Sequence, residues 1–247
     1  MLSWLVEFEL TGRVVHLWPV SLQAPDGVVA QVQSLLATDE SDRAARFKFA
    51  HLRSSFILAH GALRILLGRY LNSLPQDLQF IYGSKGKPAL GALSRLQFNA
   101  SHSGGLALFA FTTECEIGVD VEALRPMKDI GGIAKRFFCV EETAELMSLP
   151  AGQRDEAFFL CWTRKEAYIK ATGEGLSVPL DDFRVTLRPG ETAKMLDLAH
   201  DPNAAEAWTL HGLSVAAGYA GALAYRDARR PIKIFPLADP KHLLDLP

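Results

Sequence analysis

The sequence WTRKEAYIKATGEGL, residues 162–176, decides how the rest of the chain is organised. It contains no proline and its glycines come only at its end, so it predicts the last turns of a helix that begins near Arg154. Steps of four residues put Trp162, Glu166 and Lys170 on one face of that helix. A carboxylate and an ammonium beside an aromatic ring indicate a functional site, although a Glu–Lys pair one turn apart is also a common surface pair.

A second stretch, IGVDVE at residues 117–122, favours the functional interpretation. In a strand, Asp120 and Glu122 lie on the same face, where two like charges repel unless a cation lies between them. Oxygen ligands in small number suit Mg²⁺, which binds one or two carboxylates together with phosphate oxygens. The competing interpretation is a pair of edge charges that discourages strand pairing.

The composition sets limits on the class of protein. A chain of 247 residues with 49% hydrophobic residues can form one large or two small domains. No apolar run is long enough to span a membrane, and a net charge of −2 gives no general attraction to nucleic acid or to anionic lipid. Three widely spaced cysteines predict a reducing, cytoplasmic location without disulfides, and no Cys/His cluster offers a zinc site.

The order of predicted elements runs twice along the chain. Strand patterns at residues 4–20, closed by Pro19, precede two short helices and a long helix over 54–71; four strand candidates then follow as far as residue 122. Helices over 126–148 and 152–172 precede four further strand candidates. We therefore predict an α+β fold made of two similar subdomains, residues 1–115 and 116–247, each with helices and a small antiparallel sheet.

These motifs together resemble the signature of the 4′-phosphopantetheinyl transferases. GVDVE and the WTRKEAYIKATGEGL segment occur in the family's order, and further matches are NASHS at 99–103, GKP at 86–88, RFF at 136–138 and a helix around Arg53. The length resembles the single-chain subclass typified by the surfactin-synthetase activator. The resemblance implies a pseudo-twofold axis between the subdomains, an active site in the cleft between them, and a monomeric protein.

The resemblance also implies substrates and partners. The donor would be coenzyme A with Mg²⁺, and the acceptor would be a serine of an acyl or peptidyl carrier protein from a fatty-acid, polyketide or nonribosomal-peptide synthase. The RFF segment would help to receive the carrier protein, and we expect one phenylalanine in the core and one at that interface. Two other functions remain open: another Mg²⁺-dependent phosphotransferase or nuclease, and a non-catalytic module that binds carrier proteins.

The family pattern assigns phosphate contacts to basic residues of the first half. Arg53 resembles the arginine that meets the 3′-phosphate, Lys87 belongs to a nucleotide-binding loop, and Ser101 with His102 resembles the pair that contacts the phosphates. Arg46 belongs to the basic cluster at 43–53, whose alternative is a solvated helix face. His102 has the alternative of a turn histidine bonded to local backbone.

The remaining candidates come from the two signature stretches. The resemblance assigns Mg²⁺ to Asp120, Glu122 and Glu166, and it assigns Lys170 to the phosphates and the leaving group. Glu166 is also the best candidate for the base that accepts the serine proton, directly or through water. Lys165 lies about a hundred degrees round the helix from Glu166, so it reaches either phosphate or solvent.

Overall fold

The computed structural model describes residues 8–10, 13–91, 94–198 and 203–245, and in these ranges its element order runs twice. The first run is β1 (Val15–Ser21), α1 (Asp26–Gln33), α2 (Thr38–Ala45), α3 (Ala50–Leu71), β2 (Ile81–Tyr82), β3 (Pro88–Ala89), β4 (Leu96–Ser103) and β5 (Leu106–Thr113). The second is β6 (Ile117–Ala123), α4 (Ile130–Phe137), α5 (Val140–Ser148), α6 (Ala151–Thr172), β7 (Phe183–Val185), β8 (Met195–Leu198), β9 (Thr209–Leu213) and β10 (Tyr219–Tyr225). The chain continues with β11 (Ile232–Ile234) and α7 (Pro240–Leu244). The α+β class is confirmed.

Two sheets follow the same order of strands. One has the order β11-β1-β5-β4 and the other β6-β10-β9; the pairs are antiparallel except for β1 with β11. In each run, a strand is followed by three helices and a short hairpin, and a long antiparallel hairpin then completes the sheet. The second run begins at β6, beside the predicted boundary at residue 115; the subdomain division itself and the pseudo-twofold axis remain predictions.

The sheets lie face to face between two long helices. Along β5, Phe109 and Phe111 belong to the core under α3, whereas Leu108 belongs to a core shared with β6 and β10 of the other sheet. This alternation explains why LALFAF reads as a continuous apolar run, since both faces of the strand are buried. On the far side, Ala222 and Ala224 of β10 pack against α6.

Two sequence-based expectations differ from the structure. Residues 4–7 and 11–12 of the strand pattern at 4–20 lie outside the described residues. The predicted stop at Pro19 is wrong, because β1 continues to Ser21. Pro19 lies beyond the part of β1 that pairs with β11, and its carbonyl accepts a hydrogen bond from the Ala238 N–H. Strand β8 was not predicted, and its short pairing with β7 explains the weak sequence signal.

The C-terminal segment returns to the first sheet. Strand β11 pairs with β1, and α7 packs on α1 and α3, so Leu243 lies in the core of the first run. Residues 232–244 therefore belong with the first half, which corrects the assignment of all of 116–247 to a second subdomain. The physical reason is that β11 covers the edge of β1 that would otherwise be unpaired.

Leu243→Ala tests this return, because the Leu243 side chain is fully buried. Loss of a buried leucine costs about 2–5 kcal/mol, so the free energy of unfolding should fall by that amount in urea denaturation. Leu237→Ala is the matched control, since Leu237 is exposed and its removal should change stability by less than about 0.5 kcal/mol. Equal effects of the two substitutions would contradict the packing of α7 on the first core.

Candidate active site

At one margin of the two facing sheets, β4 runs beside β6, and polar side chains join the two strands. Asn99 Oδ1 accepts from the Val119 N–H at 2.9 Å, and Ser103 Oγ accepts from the Ala123 N–H at 3.2 Å. Side chains therefore satisfy backbone donors of β6 that a neighbouring strand would satisfy in a continuous sheet. This β4–β6 seam places serines opposite the carboxylates of β6.

Asp120 lies buried at the centre of the seam with one of its oxygens fully engaged. Its Oδ1 accepts from Ser101 Oγ at 2.7 Å and from Lys170 Nζ at 2.7 Å, and Lys170 also donates to Ser101 at 2.9 Å. Burial raises the pKa of Asp120, and the ammonium of Lys170 opposes that rise. The contact joins β4, β6 and α6 in one polar cluster.

Glu166 and Glu122 flank this cluster. Burial and the negative charges of Asp120 and Glu122 raise the pKa of Glu166, while Lys170 lowers it. Glu122 accepts from Ser103 Oγ at 2.7 Å and lies 3.5 Å from the Arg125 guanidinium. A carboxyl with a raised pKa beside a lysine is an arrangement suited to proton transfer.

The carboxylates are oxygen ligands of the kind that hard cations prefer, but in the described residues they are not arranged as a complete metal site. Among the residues that the structure describes, no group of three acidic, His or Cys side chains is already close enough to hold a metal ion. Asp120 Oδ2, however, is buried and has no hydrogen-bond partner within the described ranges. A buried carboxylate oxygen without a hydrogen-bond partner is a suitable ligand for a cation. Two further carboxylates lie close enough for the negative charges to repel one another, and a bound cation would relieve that repulsion.

Gly118 sets the distance between β6 and the helix that carries Glu166 and Lys170. A Cβ at this position would collide with the backbone of Ala167 and Ala171 in α6. Only glycine allows this close approach of strand and helix. The glycine of IGVDVE thus brings Lys170 within hydrogen-bonding distance of Asp120.

A pocket of about 260 Å³ opens beside the cluster, and we call it the junction pocket. It is lined by residues that include Lys85, Lys87, Asn99, Glu166 and Lys170. The ammonium of Lys87 lies 2.6 Å from Glu116 and donates to the Ile117 carbonyl at 3.3 Å. Lys87 therefore lines the junction pocket, and its positive charge is shared with Glu116.

A larger cleft of about 750 Å³, the basic cleft, lies further along β4. Its lining includes Arg43, His51, His60 and His102, and none of the described residues that line it is acidic. Partial removal from water lowers the pKa of His102. The charges of His60 and Lys170 lower this pKa further, whereas the charge of Glu122 raises it. The composition of the lining favours an anionic ligand.

Two predicted phosphate contacts, Arg46 and Arg53, do not line either pocket. Arg46 is exposed at the end of α2, and the exposed Arg53 guanidinium donates to the Phe47 carbonyl at 3.1 Å. The structure instead brings Arg43 and His60 into the basic cleft. The sequence analysis named neither, because Arg43 is only one of several basic residues in the 43–53 cluster and His60 lies outside that cluster, and sequence spacing does not show which helix face borders a cleft.

Lys165 is a clearer correction, because the structure agrees with neither of its two predicted positions, at phosphate or in solvent. The side chain is fully buried, and its ammonium lies 2.7 Å from Glu142 and donates to the Leu180 carbonyl at 2.7 Å. A hundred-degree turn of the helix directs Lys165 into the core under α5, away from Glu166. Lys165 and Glu142 therefore form a structural ion pair.

The aromatic residues near the site form a packing cluster. Trp162 stacks on Phe158 with ring centroids 5.9 Å apart and meets Phe137 edge to face at 5.7 Å. Phe138 is buried in the same core, whereas Phe137 is only partly buried. This agrees with the packing interpretation of Trp162 and with the expectation that one of the two phenylalanines belongs to the core.

Comparisons with known proteins point to one superfamily. Residues 116–224 match the family model of the 4′-phosphopantetheinyl transferase superfamily. The chain is 43% identical over 204 residues to 4′-phosphopantetheinyl transferase HetI of Nostoc sp., covering 81% of this chain and 83% of that protein. It is 31% identical over 170 residues to 4′-phosphopantetheinyl transferase Sfp of Bacillus subtilis, covering 68% and 75%. A solved holo-[acyl-carrier-protein] synthase from Thermotoga maritima aligns at 19% identity over 47% of this chain and 66% of that one, with a TM-score of 0.38.

The chain belongs to the 4′-phosphopantetheinyl transferase superfamily. The family expected from the motifs is thereby confirmed. In the described ranges, every helix is too short or too polar to span a bilayer.

Gly118→Ala tests whether the glycine sets the geometry of the site. The added methyl group must push α6 away from β6, so we expect a loss of about 1–3 kcal/mol in the free energy of unfolding. Gly152→Ala is the control, since a Cβ there meets no atom within 4 Å in the first turn of the same helix. It should be neutral or stabilising by about 0.4–1 kcal/mol. Equal thermal midpoints for Gly118→Ala and the unchanged protein would contradict the close approach.

Proposed function

We propose that this chain transfers the 4′-phosphopantetheine arm of coenzyme A to a serine hydroxyl of an apo carrier protein, with Mg²⁺ bound, and releases 3′,5′-ADP. The observation that carries the proposal is the contact of Lys170 and Ser101 with buried Asp120, beside Glu166 and next to a cleft with a basic lining. Membership of the superfamily supports coenzyme A and a carrier protein as the two substrates.

The described residues suit the binding of a diphosphate. Strand β4 leads from Asn99 in the junction pocket, through Ser101 at Lys170, to His102 in the basic cleft. Polar side chains thus follow one another along a single strand beside the Lys170 ammonium, as an extended polyanion requires. When bound, Mg²⁺ supplies positive charge for the diphosphate, and Asp120, Glu122 and Glu166 are the residues that would hold it.

In the reaction, the serine oxygen forms a bond to the phosphorus that carries pantetheine. The bond from that phosphorus to the bridging oxygen breaks, and its electron pair leaves on the phosphate of 3′,5′-ADP. Glu166 takes the serine proton, and Lys170 stabilises the charge on the departing phosphate. Both side chains come from one turn of α6, so the helix fixes the base and the leaving-group contact together.

The chain itself supplies both edges of the seam, β4 from the first run and β6 from the second. We therefore propose that the protein acts as a monomer. We also propose that it serves carrier domains of fatty-acid, polyketide or nonribosomal-peptide synthases, whose shared chemistry is an exposed serine.

A mass spectrum of apo carrier domains tests the proposal. After incubation with the protein, coenzyme A and Mg²⁺, at least one domain of each synthase type tested should gain the mass of one phosphopantetheine group. The gain should disappear when a chelator replaces Mg²⁺ and when the acceptor serine is changed to alanine. No mass gain on any domain from the three synthase types would contradict the proposed transfer.

Glu166→Gln tests the base, because the amide keeps the size of the side chain but cannot accept a proton. General-base catalysis contributes about 10²- to 10⁴-fold, so the single-turnover rate should fall by that factor while calorimetry still detects coenzyme A binding. Glu174→Gln, an exposed carboxylate just after the same helix, should transfer at the unchanged rate. A Glu166→Gln variant with near wild-type rate would remove Glu166 as the base.

A further inference from the structure

His60 is a histidine of α3 that the motifs do not single out, yet it lines the basic cleft with Arg43 and His102. Its Nδ1 lies 3.3 Å from Glu40 Oε1, and its ring stacks on Phe56 with centroids 4.0 Å apart and an interplanar angle of 28°. Two contacts therefore fix the ring: a carboxylate at one edge and an aromatic face against its plane.

Glu40 is held firmly enough to orient the imidazole. Its Oε2 accepts from Arg64 Nε at 2.5 Å and from the Ala37 N–H at 3.0 Å, which leaves Oε1 for His60. Burial opposes the charge of Glu40, but the hydrogen bonds from His60, Arg64 and Ala37 outweigh it and lower its pKa to about 2. Glu40 is therefore a carboxylate at neutral pH, and the Nδ1 that faces it carries a proton.

The other ring nitrogen is available to a ligand. His60 Nε2 has no hydrogen-bond partner among the residues that the structure describes, and the same holds for the ring of His102. With Nδ1 turned toward Glu40, Nε2 is the ring atom through which His60 can donate a hydrogen bond to a ligand. Arg43 lies close by, with its guanidinium carbon 5.3 Å from the centre of the Phe56 ring.

We propose that His60, oriented by Glu40, is a further substrate-binding residue that donates a hydrogen bond to the 3′-phosphate of coenzyme A in the basic cleft. The inference rests on the proposed function. Under that function, Lys170 acts on the reacting diphosphate beside Glu166, so the donors around His102 in the basic cleft are left for the other phosphate of the molecule. A phosphate monoester has three terminal oxygens, which suit the separate donors Arg43, His60 and His102.

His60→Gln tests this assignment, because it removes the ring Nε2 donor while keeping a polar side chain. Loss of a charge-assisted hydrogen bond should raise the Michaelis constant for coenzyme A by about 10- to 100-fold. The constant for 3′-dephospho-coenzyme A should change less than about threefold, and the maximal rate should change little with either donor. His60→Arg should restore the preference for coenzyme A, since the guanidinium supplies N–H donors at the same position beside Glu40. His242→Gln, at an exposed histidine outside the cleft, should leave both constants unchanged.

Calorimetry with 3′,5′-ADP and 5′-AMP provides a readout that does not need turnover. Wild-type protein should prefer 3′,5′-ADP, and His60→Gln should lose about 10-fold or more of that preference. If His60→Gln does not fold, loss of the preference in His60→Asn decides instead. An equal effect on both donors, or an unchanged preference in calorimetry, overturns the assignment. Absence of transfer by wild-type protein from either donor would instead refute the proposed function, and the nucleotide preference would still test His60.

Discussion

The buried carboxylate of Asp120 is the constraint on which the rest of the site depends. A charge removed from water is costly unless donors surround it, and here Ser101 comes from β4 while Lys170 comes from α6. The seam between the sheets, the helix that lies on β6, and the glycine that lets it approach all meet at this one group. The fold stability and the proposed chemistry therefore share the same atoms. A change that relaxes the contact affects both.

The repeated order of elements explains how one chain forms such a seam. Each run ends in an antiparallel hairpin, and two sheets packed face to face leave β4 and β6 side by side at their edges. Unpaired strand edges normally attract other strands, but serine and asparagine side chains occupy this one. The same side chains prevent backbone pairing and leave room for a ligand. The C-terminal strand β11 covers the edge of β1 at the other side of the first sheet.

Charge is distributed unevenly around the seam, so that one end of the site is acidic and the other end is basic. Carboxylates gather at β6, whereas the basic cleft beyond His102 is lined without acidic residues in the part of the chain that the structure describes. Glu40 is buried behind His60 and is neutralised by Arg64, so it orients the imidazole without adding exposed negative charge. A substrate with several phosphates would find donors at one end and the proton acceptor at the other. On the proposed function, this asymmetry would be the physical basis for distinguishing a 3′-phosphorylated donor from its dephospho form.

Local patterns were sufficient to predict the α+β class, the strand that carries Asp120 and Glu122, and the helix that carries Glu166 and Lys170. Periodicities of two and 3.6 residues specify which side chains share a face, and the glycines specify where the helix ends. They do not specify which face is covered. Lys165 and Glu166 are neighbours in sequence, yet packing of α5 buries one in an ion pair with Glu142 and leaves the other at the junction pocket.

The sequence by itself determined the family, the paired carboxylates and the Glu166–Lys170 turn, because these depend on residue type and short spacing. Only the tertiary structure decided that Arg43 and His60, and neither Arg46 nor Arg53, line the basic cleft. It also decided that residues 232–244 complete the first half of the molecule. Contacts between residues far apart in the chain depend on how helices and sheets pack, and no local pattern contains that information.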